Sequence, residues 1–295
     1  MKKVVRMLGL CALMALAFSA CKKNDETNKV TFKATICQPK DNNSRTHIEN
    51  INAFGFKGLF WDANNAIDVI KISSGEDATF VTESTKINGQ DATFEGTGAF
   101  LSEIYTPGAY SAYYPNTNYD GTYVFLTIPN VQNFEWETFA DNLYPMYGVN
   151  ELDSNGEPVF NFHSDAGVLK LQFKLDLLTY GEGVEIPLDK IVVTAPNDIL
   201  ACTLVYDCNG NSMMGIDMNH PMFDEVELNC TGTNIVSNRW TDFYIVLPTG
   251  ALASGFNVTI YSANNTSVTY QAQGGHPIAA ETITWMPQVN IMGEL

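Results

Sequence analysis

The chain has little of what chemistry usually needs. Only four histidines occur, His47, His163, His220 and His276, and none sits in a His-Glu-x-x-His arrangement. No Gly-x-Ser-x-Gly elbow and no glycine-rich phosphate loop is present. The absence of a Cys-x-x-Cys pair removes the commonest zinc and dithiol redox readings. Positive charge is scarce as well: 16 Lys and Arg stand against 33 Asp and Glu, a formal net charge of −17. With no basic stripe, no nucleic-acid partner is expected, and an acidic surface serves solubility. Helical periodicity is almost missing, and no repeat of roughly 20–50 residues appears. Two clusters look like sites and are better read otherwise. His163-Ser164-Asp165 are neighbours along the chain, whereas the members of a triad meet by folding, so they read as a turn. Asp207-Cys208-Asn209-Gly210-Asn211 opens like a calcium loop, but its twelfth position is Met218 and not a bidentate glutamate, so it reads as a hairpin turn. Acidic residues are too many to single out a glycosidase pair. The expectation is a protein that is not an enzyme, with no metal and no cofactor.

What the chain does have starts at its N-terminus. Lys2, Lys3 and Arg6 precede an apolar run from Met7 to Phe18, and Ser19-Ala20-Cys21 follows. A basic head, an apolar core and small residues before a break make a secretory signal. The run is shorter than the roughly 20 residues that cross a bilayer, so it reads as a signal and not an anchor helix. The small residues before Cys21 resemble a bacterial lipobox, with Phe18 where an aliphatic residue is usual and Leu16 two places further back. That resemblance implies cleavage between Ala20 and Cys21 and a lipid on the Cys21 thiol. Lys22 and Asp25-Glu26 resemble the charged tether of lipoproteins sent to the outer face of the outer membrane.

Removing residues 1–20 from 295 leaves 275, enough for two ordinary domains or one large one. The chain is 45% hydrophobic and 12% aromatic, a globular composition. Short alternating runs separated by Asn, Asp, Gly and Pro mark an all-β chain. In residues 29–37, Val30, Phe32, Ala34 and Ile36 share one face, while Thr31, Lys33 and Thr35 share the other. A polar loop, 38–47, follows. Strands are expected at 66–72, 78–82, 92–95, 109–115 and 123–128, with spacing that suits a sandwich. Residues 133–150 are aromatic-rich without a clean period and read as a long connection. The clearest strand is 167–175, with Leu169, Leu171, Phe173 and Leu175 inward and Lys170, Gln172 and Lys174 outward. Further strands are expected at 190–194, 200–206, 226–230, 241–247, 257–262 and 268–271. Pro287 interrupts a last apolar face over 282–291 and leaves two short strands or an edge strand. This gives a tether at 21–28, an N-terminal β-sandwich at 29–157 and a C-terminal one at 158–295.

With Cys11 in the signal and Cys21 lipidated, Cys37, Cys202, Cys208 and Cys230 remain, a set with three full pairings. Cys202 and Cys208 share one expected strand, which would hold them roughly 20 Å apart. That is beyond the ~7 Å Cα limit of a disulfide. Cys230 paired with either of them, or free buried thiols, both remain open.

The order of motifs has a likeness. Ser44-Arg45-Thr46, Trp61-Asp62-Ala63-Asn64-Asn65-Ala66-Ile67, Ala92-Thr93-Phe94-Glu95-Gly96 and Tyr110-Ser111-Ala112-Tyr113-Tyr114-Pro115 follow one another after the lipobox. Ser164-Asp165-Ala166-Gly167-Val168-Leu169-Lys170-Leu171 and Tyr244-Ile245-Val246-Leu247-Pro248-Thr249-Gly250 complete the set. The set resembles the fimbrillin-like family, the lipoprotein pilins of type V pili. Asn64-Asn65 stands where that family often has Gly-Asp, and Ser44 where it often has Thr. The resemblance implies two transthyretin-like β-sandwich domains in tandem, in a surface fibre or at its base or tip. It also implies a protease cut after Arg45, before Thr46, that removes the first strand, and assembly with other pilus subunits by strand exchange. The outer membrane, through Cys21, and a host or bacterial surface ligand are the other partners it implies. A different reading is a surface glycan-binding lipoprotein, for which Trp136, Trp240 and the tyrosines at 110, 113 and 114 are the exposed-aromatic candidates. Core packing is the ordinary fate of such side chains.

If Cys21 carries the anchor, Cys21→Ser moves the protein from the membrane fraction to the soluble one. Unchanged membrane partition of the mutant would contradict lipidation.

Overall fold

The computed structural model describes residues 29–36, 47–50, 57–62, 64–83, 87–88, 90–97, 99–115, 117–208, 212–272, 275–293 and 295. Ala20, Cys21, Cys37, Arg45 and Thr46 lie outside them.

In chain order the first strands are β1 (Lys29–Ile36), β2 (His47–Asn50), β3 (Lys57–Phe60), β4 (Ala66–Lys71), β5 (Glu76–Val81), β6 (Ile87–Asn88) and β7 (Asp91–Thr97). Then come β8 (Tyr110–Tyr114), β9 (Asn118–Tyr119), β10 (Tyr123–Ile128), β11 (Val131–Glu135), β12 (Thr138–Phe139), β13 (Met146–Leu152) and β14 (Pro158–Phe162). The long β15 (Ala166–Leu175) leads through one helical turn, α1 (Leu177–Tyr180), to β16 (Glu185–Thr194), β17 (Cys202–Asp207), β18 (Met213–Ile216), β19 (Glu225–Asn229) and β20 (Asn234–Val236). The chain closes with β21 (Thr241–Pro248), β22 (Phe256–Ser262), β23 (Ser267–Ala272), β24 (Ile283–Trp285) and β25 (Val289–Ile291).

The fold is two β-sandwiches in tandem. An eight-stranded sheet in the order β5-β4-β8-β13-β14-β1-β7-β6 shares one core with a four-stranded sheet, β18-β17-β10-β9. A second core lies between the sheet β12-β11-β19-β16-β22-β23, with β20 on β16, and the sheet β21-β15-β24, with β25 on β15. Packing sheet on sheet buries the apolar faces that alternate along most of these strands.

Strands cross between the two halves. β10 pairs along its length with β17, Tyr123 opposite Asp207 through Ile128 opposite Cys202. β11 runs parallel to β19 and so belongs to the second sandwich. β14 pairs with β13 and β1 in the first sheet, although the sequence division at 157/158 assigns it to the C-terminal half. Residues 133–150 are not a connection: they hold the end of β11, β12 and most of β13, a central strand of the first sheet. The reason is legible once the inward positions are known. Met146, Gly148 and Asn150 point inward, so two of three inward residues are not apolar. A Cβ on Gly148 would stand 2.7 Å from the Asn161 carbonyl oxygen. Buried Asn150 donates to the carbonyls of Ile104 and Thr106, both at 2.8 Å, and accepts from the Tyr110 N–H at 2.8 Å. It replaces chain–chain bonds that an apolar residue would leave unmade.

β15 is buried on both faces over its first six residues. Leu169, Leu171, Phe173 and Leu175 enter the second core, as their alternation indicates. Ala166 and Val168, with Tyr244 and Val246 of the neighbouring β21, enter the first core instead. Lys170, expected outward, is only 3% exposed. Its ammonium lies 2.6 Å from Asp242 and 4.1 Å from the centre of the Trp285 ring, so a paired charge is tolerated where a free one would not be. On the outer edge of this sheet, the Gln132 side chain donates to the Val246 carbonyl at 2.8 Å and accepts from its N–H at 3.0 Å. One amide thus stands in for a missing strand partner.

Cys202, Cys208 and Cys230 are free and buried. Burial pushes the Cys202 thiol up to about 11 and the Cys230 thiol up to about 12, so both stay protonated and unreactive. The Ser164 hydroxyl donates to the Pro145 carbonyl at 2.6 Å, while His163 Nδ1 meets Glu281 at 3.0 Å. The trio is therefore not a triad, and in place of the expected turn it forms the short link from β14 to β15, with His163 bridged to Tyr147. Among the described residues no group of His, Cys, Asp or Glu is placed to hold a metal ion.

Leu171 is fully buried in the second core. Leu171→Ala is expected to cost about 2–5 kcal/mol in chemical denaturation. A loss under about 0.5 kcal/mol would contradict that burial.

Candidate functional site: the slot of the first strand

β1 is an interior strand. Its antiparallel neighbour β7 pairs Lys29 with Thr97 through Thr35 with Asp91, and its parallel neighbour β14 pairs Lys33 with Val159 through Ile36 with Phe162. The strand's inward face is the one the alternation indicates. Phe32, Ala34 and Ile36 are buried, and Val30 packs on the same core. Thr31 and Lys33 face solvent.

Aromatic rings line the slot. Phe32 stacks on Phe94 at 5.6 Å and meets Phe80 and Phe160 edge-on at 5.2 and 5.3 Å. Its position directly opposite Phe94 in the β1–β7 register makes that stack a cross-strand pair. A Cβ at Gly96 would lie 2.4 Å from the Phe80 ring, so glycine there lets Phe80 reach the slot. Trp61 closes the end of the slot. Its indole N–H donates to the Ala34 carbonyl at 3.1 Å. Its ring meets Phe94, Tyr114 and Phe162 edge-on at 6.0, 5.6 and 5.3 Å.

The buried amide beside these rings is satisfied locally. Asn65 accepts from the Asp62 N–H at 2.7 Å and donates to the Tyr114 hydroxyl at 3.3 Å. Burial holds the Tyr114 phenol well above its ordinary range, so it stays neutral at any physiological pH. On the solvent side, Lys33 stands 3.7 Å from Asp153. The N–H groups of Glu157 and Asn155 hold the Asp153 carboxyl below the usual carboxylate range, and Lys33 adds to this.

Chemically, the slot binds one extended chain. It offers backbone pairing on both sides and takes side chains at every second position, a specificity set by ring-lined pockets. Of the residues singled out in the sequence, Phe32, Ala34, Ile36 and Val30 are brought together here. Tyr110, Tyr113 and Tyr114 are core residues, with the Tyr113 phenol pushed up to about 12 by burial, and they present nothing to a ligand. The Trp61 contact to β1 was not apparent in the sequence; a lone tryptophan ahead of an Asn-rich turn is its only signal.

No family model matches the chain, and no curated protein matches it in sequence. Solved structures do resemble it. A candidate cell adhesion protein from Bacteroides uniformis is 14% identical with a TM-score of 0.52, over 90% of this chain and 95% of that one. The chain has the fold of that protein. A fimbrial protein from Bacteroides vulgatus is 10% identical with a TM-score of 0.37, over 62% of this chain and 74% of that one. The tip fimbrial protein Mfa3 from Porphyromonas gingivalis is 11% identical with a TM-score of 0.31, over 87% and 94% of the two chains. The first likeness establishes the fold, and the other two are too distant to add to it.

Phe32→Ala is expected to destabilise the protein by about 3–5 kcal/mol, since it empties the centre of the slot. Lys33→Ala, one residue on but outward, is expected to change stability by less than about 0.5 kcal/mol. Equal losses in a denaturant titration would mean that the two faces are misassigned.

Proposed function

We propose that the protein is a fimbrial subunit or pilus-associated adhesin of the type V class, held on the outer membrane by a lipid on Cys21 and assembled by exchange of its first strand. The observation that carries this reading is the place of β1. It is the first strand of the described chain, yet it sits between β7 and β14 with its apolar face in the first core. A terminal strand in an interior position leaves two facing edges and an apolar slot when it goes. Another subunit's strand restores both.

Arg45 follows β1 in the chain, so a cut between Arg45 and Thr46 frees everything before it, β1 included. The same cut severs the link to Cys21. Opening the slot and releasing the subunit from its anchor become one event. The energetics agree in sign. Exposing Phe32 and the rings around it costs about 1.5–3 kcal/mol for each large apolar side chain, which an incoming strand recovers. Intact protein therefore keeps its slot closed, and cut protein is driven to find a donor.

The test is to incubate lipid-free protein with an arginine-specific protease and follow its size. A ladder of oligomers from cut protein, none from uncut protein, and no ladder from Arg45→Ala is the expected result. Clean cleavage after Arg45 that yields only stable monomer would overturn strand exchange for this chain.

A further inference from the structure

We propose that the protein carries a glycan subsite for one neutral pyranose ring, between the tip of the β11–β12 hairpin and the start of β21. The site does not depend on strand exchange, and uncut monomer serves for its test. A cavity of about 240 Å³ opens there, lined by Trp136, Glu137, Gln172, Trp240 and Asp242.

The elements place these residues deliberately. The hairpin pairs Phe134 with Phe139 and Glu135 with Thr138, which leaves Trp136 and Glu137 as its two-residue tip. Glu137 has a φ of 62°, a left-handed conformation that a residue with a Cβ rarely adopts. Phe134 anchors the hairpin against Phe243 of the core at 5.3 Å, so the tip is fixed while Trp136 remains 51% exposed. Across the cavity, Trp240 directly precedes β21. Asp242 and Gln172 face one another in the β21–β15 register, and Gln172 donates to Asp242 at 2.6 Å. Both indoles are pinned by cations: the Arg239 guanidinium lies 5.1 Å from the Trp136 ring centre, and the Lys174 ammonium 4.8 Å from that of Trp240.

The lining selects the ligand class. Two indoles beside two carboxylates and an amide match a molecule that is apolar on its faces and ringed with hydroxyls, which describes a pyranose. A purely apolar ligand would cover the Glu137 carboxylate at the hairpin tip, whereas Asp242 already accepts from Gln172, Lys170 and Tyr244. An organic cation would lie close to the Arg239 and Lys174 charges already beside these rings, and like charges repel, a penalty that a neutral sugar does not meet. The carboxylates also argue against an acidic sugar. Of the aromatics exposed by sequence reasoning, only Trp136 and Trp240 survive burial, and they are the two that meet here.

Tryptophan fluorescence reads the site directly. Uncut protein is titrated with the methyl glycosides of glucose, galactose, mannose and N-acetylglucosamine, with short neutral oligosaccharides of each, and with choline as the cation control. At least one sugar is expected to give a saturable change. Trp136→Ala should weaken its binding about tenfold, the loss of one ring-stacking contact. Glu137→Gly keeps the left-handed backbone and removes the carboxylate, so it should weaken binding several-fold while folding normally. Isothermal calorimetry follows binding in the Trp136 variant, whose fluorescence signal is reduced. No saturable response to any sugar, tighter binding of choline than of every sugar, or unchanged sugar affinity in both variants would each overturn the proposal.

Discussion

The strand pair β15–β21 has no solvent face along much of its length, and the tandem arrangement hangs on it. Alternate residues of one ribbon feed two different cores: Leu169 and Leu171 with Phe243 and Ile245 on one side, Val168 with Tyr244 and Val246 on the other. Neither sandwich can loosen at this ribbon without exposing part of the other. Two polar groups caught in the shared layer are answered on the spot. Lys170 has Asp242 and a flanking tryptophan ring, and Gln132 completes the backbone of Val246. A buried charge or an open strand edge left without such partners would cost several kcal/mol.

A second convergence organises the slot. Trp61, Phe94 and Tyr114 come from three separate motifs, and their rings meet edge-on around the Trp61 indole. The same indole donates to the backbone of β1. These motifs are thus packing instructions for the wall against which β1 lies. The aromatic richness of the N-terminal half, which could be taken for a ligand-binding surface, is spent mostly on this wall. Trp136 differs because its hairpin tip carries it clear of the core.

Crossing strands give the two sandwiches a common fate. β10 lies beside β17 in a sheet with two strands from each half of the chain, and β11 lies beside β19 in a sheet built mainly by the C-terminal half. β1 stays within one sandwich; its partners β7 and β14 both lie in the first sheet. The pairs β10–β17 and β11–β19 that link the halves do not involve β1.

The sequence by itself determined the all-β class, the inward face of β1, the alternation of Leu169 to Leu175 and the break at Pro287 between β24 and β25, because period-two burial writes itself directly into residue order. It could not show β13 as a central strand, since Gly148 and Asn150 occupy inward positions for close approach and hydrogen bonding rather than for hydrophobicity. Nor could it place Lys170, whose burial depends on Asp242, far along the chain, and on Trp285 at the far end of it. Only the tertiary structure decided which strands cross between sandwiches, that Trp61 holds β1, and that Trp136 and Trp240 face one cavity. These are contacts between residues distant in sequence, and local pattern carries no information about who will stand opposite whom.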